Sequence, residues 1–215
     1  MALIDELRQA VVDGQPKVAV ERTTQGLAEG VPASTLLQEG LIAAMRQVGE
    51  LYDQGEYYVP EMLVAAHAMK ESLAILKPHL VSDGVPITAT VAIGTVKGDL
   101  HDVGKNLVSM MLEGSGYQIV DLGVDVPAEG FVQAVRDGAD VVGMSALLTT
   151  TMPRMRENIA AIDAAGLRAQ ALVVVGGAPI TEEYAQAIGA DGFAPDASAA
   201  VRMVDELLAS AAARA

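Results

Sequence analysis

A chain of 215 residues with 51% apolar composition can build one large or two small cores, while 28 acidic against 14 basic residues (net charge −14) disfavour binding to nucleic acid or anionic lipid. The absence of cysteine excludes disulfides, thiolate metal sites and thiol nucleophiles, so a metal must rest on carboxylates or on the three histidines, His67, His79 and His101. No apolar run reaches the roughly 18 residues of a membrane span and the N-terminus is acidic, so a cytoplasmic location without membrane attachment is expected.

The first part of the chain lacks strand-like alternation and reads as four helices. Ile4, Leu7 and Val11 recur at helical spacing before Asp13-Gly14 interrupts, and a second helix opens at Pro16 and runs to Gly30. Pro32 opens a third, with Leu37, Leu41, Met45 and Val48 on one stripe, and Gly55 closes it. Pro60 opens a fourth, where Met62, Ala66, Met69, Leu73 and Leu76 step by fours and threes along a bundle seam. A Pro- and Gly-containing stretch follows, so residues 1–78 are expected to form a four-helix bundle, 79–86 a linker and 87–215 a second domain.

In that second domain strands are predicted over Ile87–Gly94, Tyr117–Leu122, Asp140–Ser145, Ala171–Gly176 and Asp191–Ala194, each followed by a helical segment. Five βα units predict a doubly wound, flavodoxin-like parallel sheet of order 2-1-3-4-5, an α/β fold. Ligands bind outside the carboxyl ends of such strands. The loop after the first strand carries Asp99 and His101. A carboxylate that accepts the Nδ1 proton leaves Nε2 as a metal ligand or base, although such a pair can also be a solvated loop feature. Gly98 and Gly104 flank it and permit close backbone approach.

Gly98-Asp99-Leu100-His101-Asp102-Val103-Gly104-Lys105-Asn106 resembles the Asp-x-His-x-x-Gly signature of cobalamin-binding modules, and Ser145-Ala146-Leu147 and Gly176-Gly177 stand where its Ser-x-Leu and Gly-Gly elements fall. The run Met45 to Tyr52, Gly55 and Val59-Pro60-Glu61-Met62 are similar to the helical cap over the cobalamin module of methionine synthase. Cap and module together make up the corrinoid proteins of methanol, methylamine and methoxyaromatic methyltransferase systems, and the resemblance spans about residue 3 to residue 208.

The resemblance implies cobalamin as cofactor, carried as methylcobalamin and cob(I)alamin. His101 would be the lower cobalt ligand in place of the cofactor's own base (base-off, His-on), and Asp99 would hydrogen-bond its other nitrogen. Asp102, Val103, Gly104 and Gly98 would complete the ligand loop. Ser145, Leu147, Thr149, Gly176, Gly177, Ala178 and Ala197 would line the pocket for the displaced tail, and Tyr52, Val59 and Met62 would face the methyl group from the cap. Methionine synthases complete a relay with a serine six residues after the Ser-x-Leu serine. Thr151 stands there, keeping the hydroxyl but adding a methyl group and a stiffer χ1.

No side chain is implied as catalytic. The implied role is a carrier, inactive alone, that shuttles a methyl group between donor-side and acceptor-side methyltransferase proteins, with a reductive activase as third partner. A cobalamin-dependent sensor or regulatory protein is the alternative, but it would be expected to bring a basic DNA-binding domain and a tryptophan-containing signature. An adenosylcobalamin mutase subunit would lack the cap, and a phosphate- or flavin-binding domain would be expected to show a glycine-rich loop after the first strand. His67 is expected as a partly buried structural residue beside the bundle seam, and His79 as a solvated linker residue. Gln38 and Glu39 are candidates for the face toward the cofactor.

Overall fold

The computed structural model describes residues 2–82 and 89–213. They form two compact units: one is helical and includes Met110–Gly116, and the other contains Ala89–Ser109 and the chain from Tyr117 on.

In the helical unit, α1 (Ala2–Val12) buries Leu7, Ala10, Val11 and Val12. A turn at Gly14, with φ +61°, leads into α2 (Pro16–Ala28), which has proline in its first turn, where the missing N–H has no helical partner to lose. The helix expected after Pro32 is a rod of three parts: α3 (Ala33–Thr35), a π-helical segment (Leu36–Ile42) and α4 (Ala43–Asp53). A π segment widens the hydrogen-bond ring and disturbs carbonyl pairing. Here Arg8 of α1 donates from Nε and Nη2 to the Glu39 carbonyl, at 3.1 and 2.8 Å. Gly40 lies in the same segment, where a Cβ would come within 2.7 Å of Leu7 Cδ2, so its lack of a side chain lets α1 pack close.

Helix α5 (Val59–Ser82) begins with half a capping box: Glu61 Oε2 accepts the Tyr58 N–H at 3.0 Å. Its seam residues Met62, Ala66, Met69, Leu73 and Leu76 are all buried. The helix continues through Pro78, so 79–82 are helical rather than linker, and His79 sits in the last turn. Proline removes one N–H near the helix end without stopping the turns that follow it. Residues 83–86 of the expected linker and 87–88 of the expected first strand lie outside the described residues. His67 is exposed rather than partly buried, with Nε2 3.4 Å from Glu71 Oε1 one turn on. Gln38 and Glu39 are likewise exposed.

From residue 89 on, the chain alternates β1 (Thr90–Val96), α6 (Val103–Gly114, whose residues from Met110 on group with the helical unit), β2 (Gln118–Val126), α7 (Ala128–Arg136), β3 (Val141–Ser145), α8 (Pro153–Ala164), β4 (Leu172–Gly176), α9 (Glu182–Ile188), β5 (Gly192–Ala194) and α10 (Ala197–Ala212). All neighbouring strands are parallel, in the order β2-β1-β3-β4-β5. The α/β class and the doubly wound, flavodoxin-like arrangement are therefore as the sequence predicts. One face packs Val96, Val142, Met144, Val173 and Val175 with Phe131, Met155 and Ile162 from the helices. The other faces α10, since a Cβ on Gly192 would strike Met203 and Leu207.

β1 runs two residues beyond Gly94, where the sequence predicts its end. Gly94 is glycine for packing: a Cβ there would meet Leu122 Cβ at 3.0 Å and Val126 Cγ2 at 3.1 Å. β2 likewise continues past Leu122, with irregular register opposite Ile93–Val96. Among the described residues no helix is long and apolar enough to cross a membrane.

Candidate functional site

The strand order reverses between β1 and β3, and the loops that leave these two strands meet at their carboxyl ends, the position where open α/β sheets bind ligands. Asp99, on the β1 loop, is fully buried (0% exposed). Its Oδ1 lies 2.7 Å from His101 Nδ1 and accepts the His101 backbone N–H at 3.1 Å. Its Oδ2 accepts the Leu147 and Leu148 N–H groups at 2.8 and 3.1 Å. Thr151 Oγ1 is 2.8 Å from the same oxygen. Asp99, His101 and Thr151 thus come together, although sequence separates the first and last by 52 positions.

An ionised carboxylate only accepts hydrogen bonds, so it selects the imidazole tautomer with the proton on Nδ1 and leaves the Nε2 lone pair available. The His101 side chain is 53% exposed while its Asp99 partner is sealed, so the ring is held at its base and offered at its tip. Thr151 Oγ1 is also 2.8 Å from the Leu148 carbonyl. Its single proton serves one acceptor at a time, and the carboxylate is the stronger. Thr95 Oγ1 secures the backbone by donating to the His101 carbonyl at 2.9 Å.

Burial, the largest single influence on Asp99, opposes its ionisation, but hydrogen bonds from His101, the Leu147 N–H and Thr151 outweigh it and hold the carboxyl well below the usual carboxylate range. A folded value below the unfolded ~3.9 means that Asp99 stabilises the fold fully above that pH, and that this contribution is lost as pH falls through the folded value. Acid titration followed by circular dichroism is expected to show a loss of stability confined below about pH 4 that is smaller in an Asp99→Asn variant. An identical acid limb in the variant would contradict the assignment.

The loops that carry Asp99, His101 and Thr151 also expose large apolar side chains. Leu100 is 70% and Val103 79% exposed, and Leu147 and Leu148, which donate to Asp99 through their backbones, also expose their side chains. Four exposed large apolar side chains on the two loops that meet at Asp99 and His101 suit a large, largely apolar ligand. Among the described residues no three His, Asp or Glu side chains gather as a metal site. A single imidazole donor suits a metal that arrives with its remaining ligands already in place.

Across the sheet, Thr95, Ser145, Gly176 and Ala194 share one register row at the carboxyl ends of β1, β3, β4 and β5. Register partners in a parallel sheet point to the same side, here the α10 side, and none is larger than threonine. Beside this row, Gly177, with φ +129°, crosses the backbone of Ala146, whose carbonyl oxygen would lie 1.9 Å from a Cβ on Gly177. Ser145, Gly176 and Gly177 are half-buried, Ala197 is buried in the first turn of α10, and Thr149 and Ala178 are exposed. With Thr95 and Ala194 buried, the half-buried Ser145, Gly176 and Gly177 are the members of this edge that offer surface with little side-chain bulk.

Asp102 is half-buried and accepts from Asn106 Nδ2 at 3.1 Å, and Gly98 and Gly104 are exposed in the loop. Tyr52, Val59 and Met62 lie in the helical unit. Tyr52 is half-buried and Val59 exposed, whereas Met62 is fully buried and presents no free surface.

Sequence reasoning passed over Leu100, Leu148, Lys105, Asp121 and Asp125. Lys105, in the first turn of α6, is buried, with Nζ 2.6 Å from Asp121 Oδ1 on β2 and 2.7 Å from Asn106 Oδ1. Partial burial works against the Asp121 carboxylate, but the Lys105 ammonium and the Gly123 N–H hold its pKa down. A lysine as the one basic residue of α6 and an aspartate inside a β-run were the available signals.

Comparison with known proteins agrees with this geometry. A family model described as a B12 binding domain matches residues 89–202, and a second model of the same description matches residues 3–77. A corrinoid protein of Desulfitobacterium hafniense (strain Y51) is 39% identical over 212 residues, which cover 97% of this chain and 98% of that protein. The trimethylamine corrinoid protein of Methanosarcina barkeri is 38% identical over 209 residues, 96% of each chain. Among solved structures, the methanol:cobalamin methyltransferase complex MtaBC of Methanosarcina barkeri gives a TM-score of 0.84 at 29% identity, covering 97% of this chain and 80% of that one. A cobalamin-binding protein from Desulfitobacterium hafniense DCB-2 gives 0.79 at 32%, covering 94% and 97%. With a histidine set on its carboxylate, exposed apolar side chains on the same loops and B12 binding domain matches over both units, this chain belongs to the corrinoid proteins of methyltransferase systems, whose cofactor is cobalamin.

Proposed function

We propose that this chain is a methyl carrier that binds cobalamin base-off, with His101 as the lower cobalt ligand. The supporting observation is the half-exposed His101 ring fixed by buried Asp99 through Nδ1, on loops that also expose Leu100, Val103, Leu147 and Leu148. When bound, the cobalt supplies the nucleophile that accepts a methyl group and the bond from which it is passed on. The protein's part is to orient and hold: Asp99 sets the tautomer, Thr151 and two backbone N–H groups steady Asp99, and the half-buried, short-chained Ser145, Gly176 and Gly177 would make room for the cofactor's displaced tail.

Thr151 and the two N–H groups would keep Asp99, and through it the His101 ring, in place whether or not a metal draws on Nε2. The chain is inactive alone in this reading. Its partners are a donor-side methyltransferase, of the kind present in MtaBC, an acceptor-side methyltransferase and a reductive activase. Names such as trimethylamine and dimethylamine corrinoid protein among its relatives favour a methylamine as the methyl source.

The test is reconstitution with cobalamin and absorption or paramagnetic resonance spectroscopy. The wild type is expected to show a nitrogen-ligated, base-off cofactor, and His101→Ala to keep the cofactor bound while losing the nitrogen ligand. An unchanged spectrum in His101→Ala would overturn the assignment.

A further inference from the structure

We propose that Asp125 is a positioning residue for the ligand loop, a clamp from the edge strand β2 that fixes the backbone from which Asp99 and His101 project; the proposal rests on the reading of His101 as the cobalt ligand. β2 loses regular register with β1 twice near its end: Ile93 pairs Asp121, Gly94 pairs Gly123 and Val96 pairs Val126. Each step inserts one extra residue on β2. Such bulges bend a strand and re-aim a side chain, and they occur beside functional sites.

Asp125 occupies the second irregularity with φ +54°, and it is the one non-glycine residue with positive φ among the described residues. A side chain rarely adopts this conformation unless its surroundings require it, and aspartate tolerates it better than most residues.

What the conformation achieves is visible in two hydrogen bonds. Asp125 Oδ1 accepts the Gly98 N–H at 2.7 Å, and the Asp125 N–H donates to the Asp99 carbonyl at 3.0 Å. The two bonds grip the loop on either side of the Asp99 α-carbon, one at the peptide entering Gly98 and one at the peptide leaving Asp99. Gly98 itself has φ +85°, so the gripped segment turns sharply here. Asp99 is thereby held from two directions: its carboxylate by the β3 loop, through Leu147, Leu148 and Thr151, and its backbone by β2, through Asp125. Asp125 touches neither His101 nor the exposed apolar side chains in any contact described above, so its influence on the ligand passes through the Asp99 backbone.

The separating variant is Asp125→Gly, which keeps the left-handed backbone and the N–H donated to Asp99 but removes the carboxylate. Asp125→Asn retains an acceptor oxygen and the tolerance for positive φ, and Asp125→Ala is a second loss variant. In the cofactor-free full chain, hydrogen exchange at the Gly98 amide is expected to accelerate on the order of tenfold in Asp125→Gly, the factor one charge-assisted hydrogen bond is worth. In the cobalamin-loaded protein the nitrogen-ligated fraction should fall in Asp125→Gly and Asp125→Ala and recover in Asp125→Asn. Unchanged Gly98 exchange overturns the clamp, and faster exchange with an unaltered nitrogen-ligated fraction overturns its positioning role. A wild type without nitrogen ligation overturns the underlying reading of His101, whatever the exchange shows.

Discussion

Asp99→Asn is expected to fold and yet to lose the histidine ligand. Oδ2 faces three donors, the Leu147 and Leu148 N–H groups and the Thr151 hydroxyl, so the new amide must keep its oxygen on that side. Its NH2 group then meets His101, where the backbone N–H and ring nitrogen now sit 3.1 and 2.7 Å from the carboxylate. An amide N–H can be received there only if Nδ1 becomes the acceptor, which moves the imidazole proton to Nε2 and blocks its lone pair.

The substitution changes one atom of a buried side chain, so the fold should lose about 1–3 kcal/mol through the mismatched His101 N–H and the weaker neutral acceptor. Cobalt ligation should weaken by about 10- to 100-fold, a range typical for loss of a partner behind a metal-bound histidine. Spectroscopy of the cobalamin-loaded variant at pH 7, alongside urea denaturation, separates the two effects. A fully nitrogen-ligated cofactor in Asp99→Asn would show that the carboxylate does not set the tautomer.

The second large effect is expected at Gly177. A Cβ at this position would sit 1.9 Å from the Ala146 carbonyl oxygen and 2.9 Å from its carbonyl carbon, both main-chain atoms with no rotamer to escape into. The residue's φ of +129° is also outside the range alanine adopts. Gly177→Ala must therefore push the ends of β3 and β4 apart, where the Ala146 N–H donates to the Gly176 carbonyl at 3.2 Å. Overpacking and backbone strain together predict a loss of about 3–5 kcal/mol and release of the cofactor. Gly176→Ala, whose Cβ would stand 3.3 Å from the Ala194 oxygen with no positive φ, should cost far less. Urea midpoints of the two variants compare them directly, and equal losses would contradict the crossing as the cause.

The sequence carries some of these features plainly and others only once folded. The five strands follow from apolar runs closed by turn residues, and the sheet order follows from the handedness of parallel crossovers. The loop of Asp99 and His101 is legible because polar residues with flanking glycines interrupt the pattern at a strand end. Gly94 misleads because a glycine needed for packing against Leu122 and Val126 has the same appearance as one that ends a strand. The π-helical segment Leu36–Ile42 leaves the apolar stripe of its rod nearly unchanged, so periodicity does not reveal it. Asp125 and Lys105 escape notice for a common reason: their meaning lies in partners on another element, Gly98 for one and Asp121 for the other. Met62 shows the converse, because a seam methionine and a surface methionine have the same spacing and only the packed bundle shows it buried.

The assembly of Asp99's surroundings from three strands has a kinetic consequence. Its carboxylate waits for backbone groups 48 and 49 positions away, on the far side of β3, and its own backbone for the end of β2. Closing loops of this length precedes any reward from the contacts they permit, and parallel pairing is slow for that reason. Before β1 lies between β2 and β3, the imidazole has neither a fixed tautomer nor a fixed direction. If His101 is the lower ligand as proposed, capture of cobalamin through it belongs to the end of folding rather than its beginning, and the cofactor would report on a sheet already formed instead of guiding its formation.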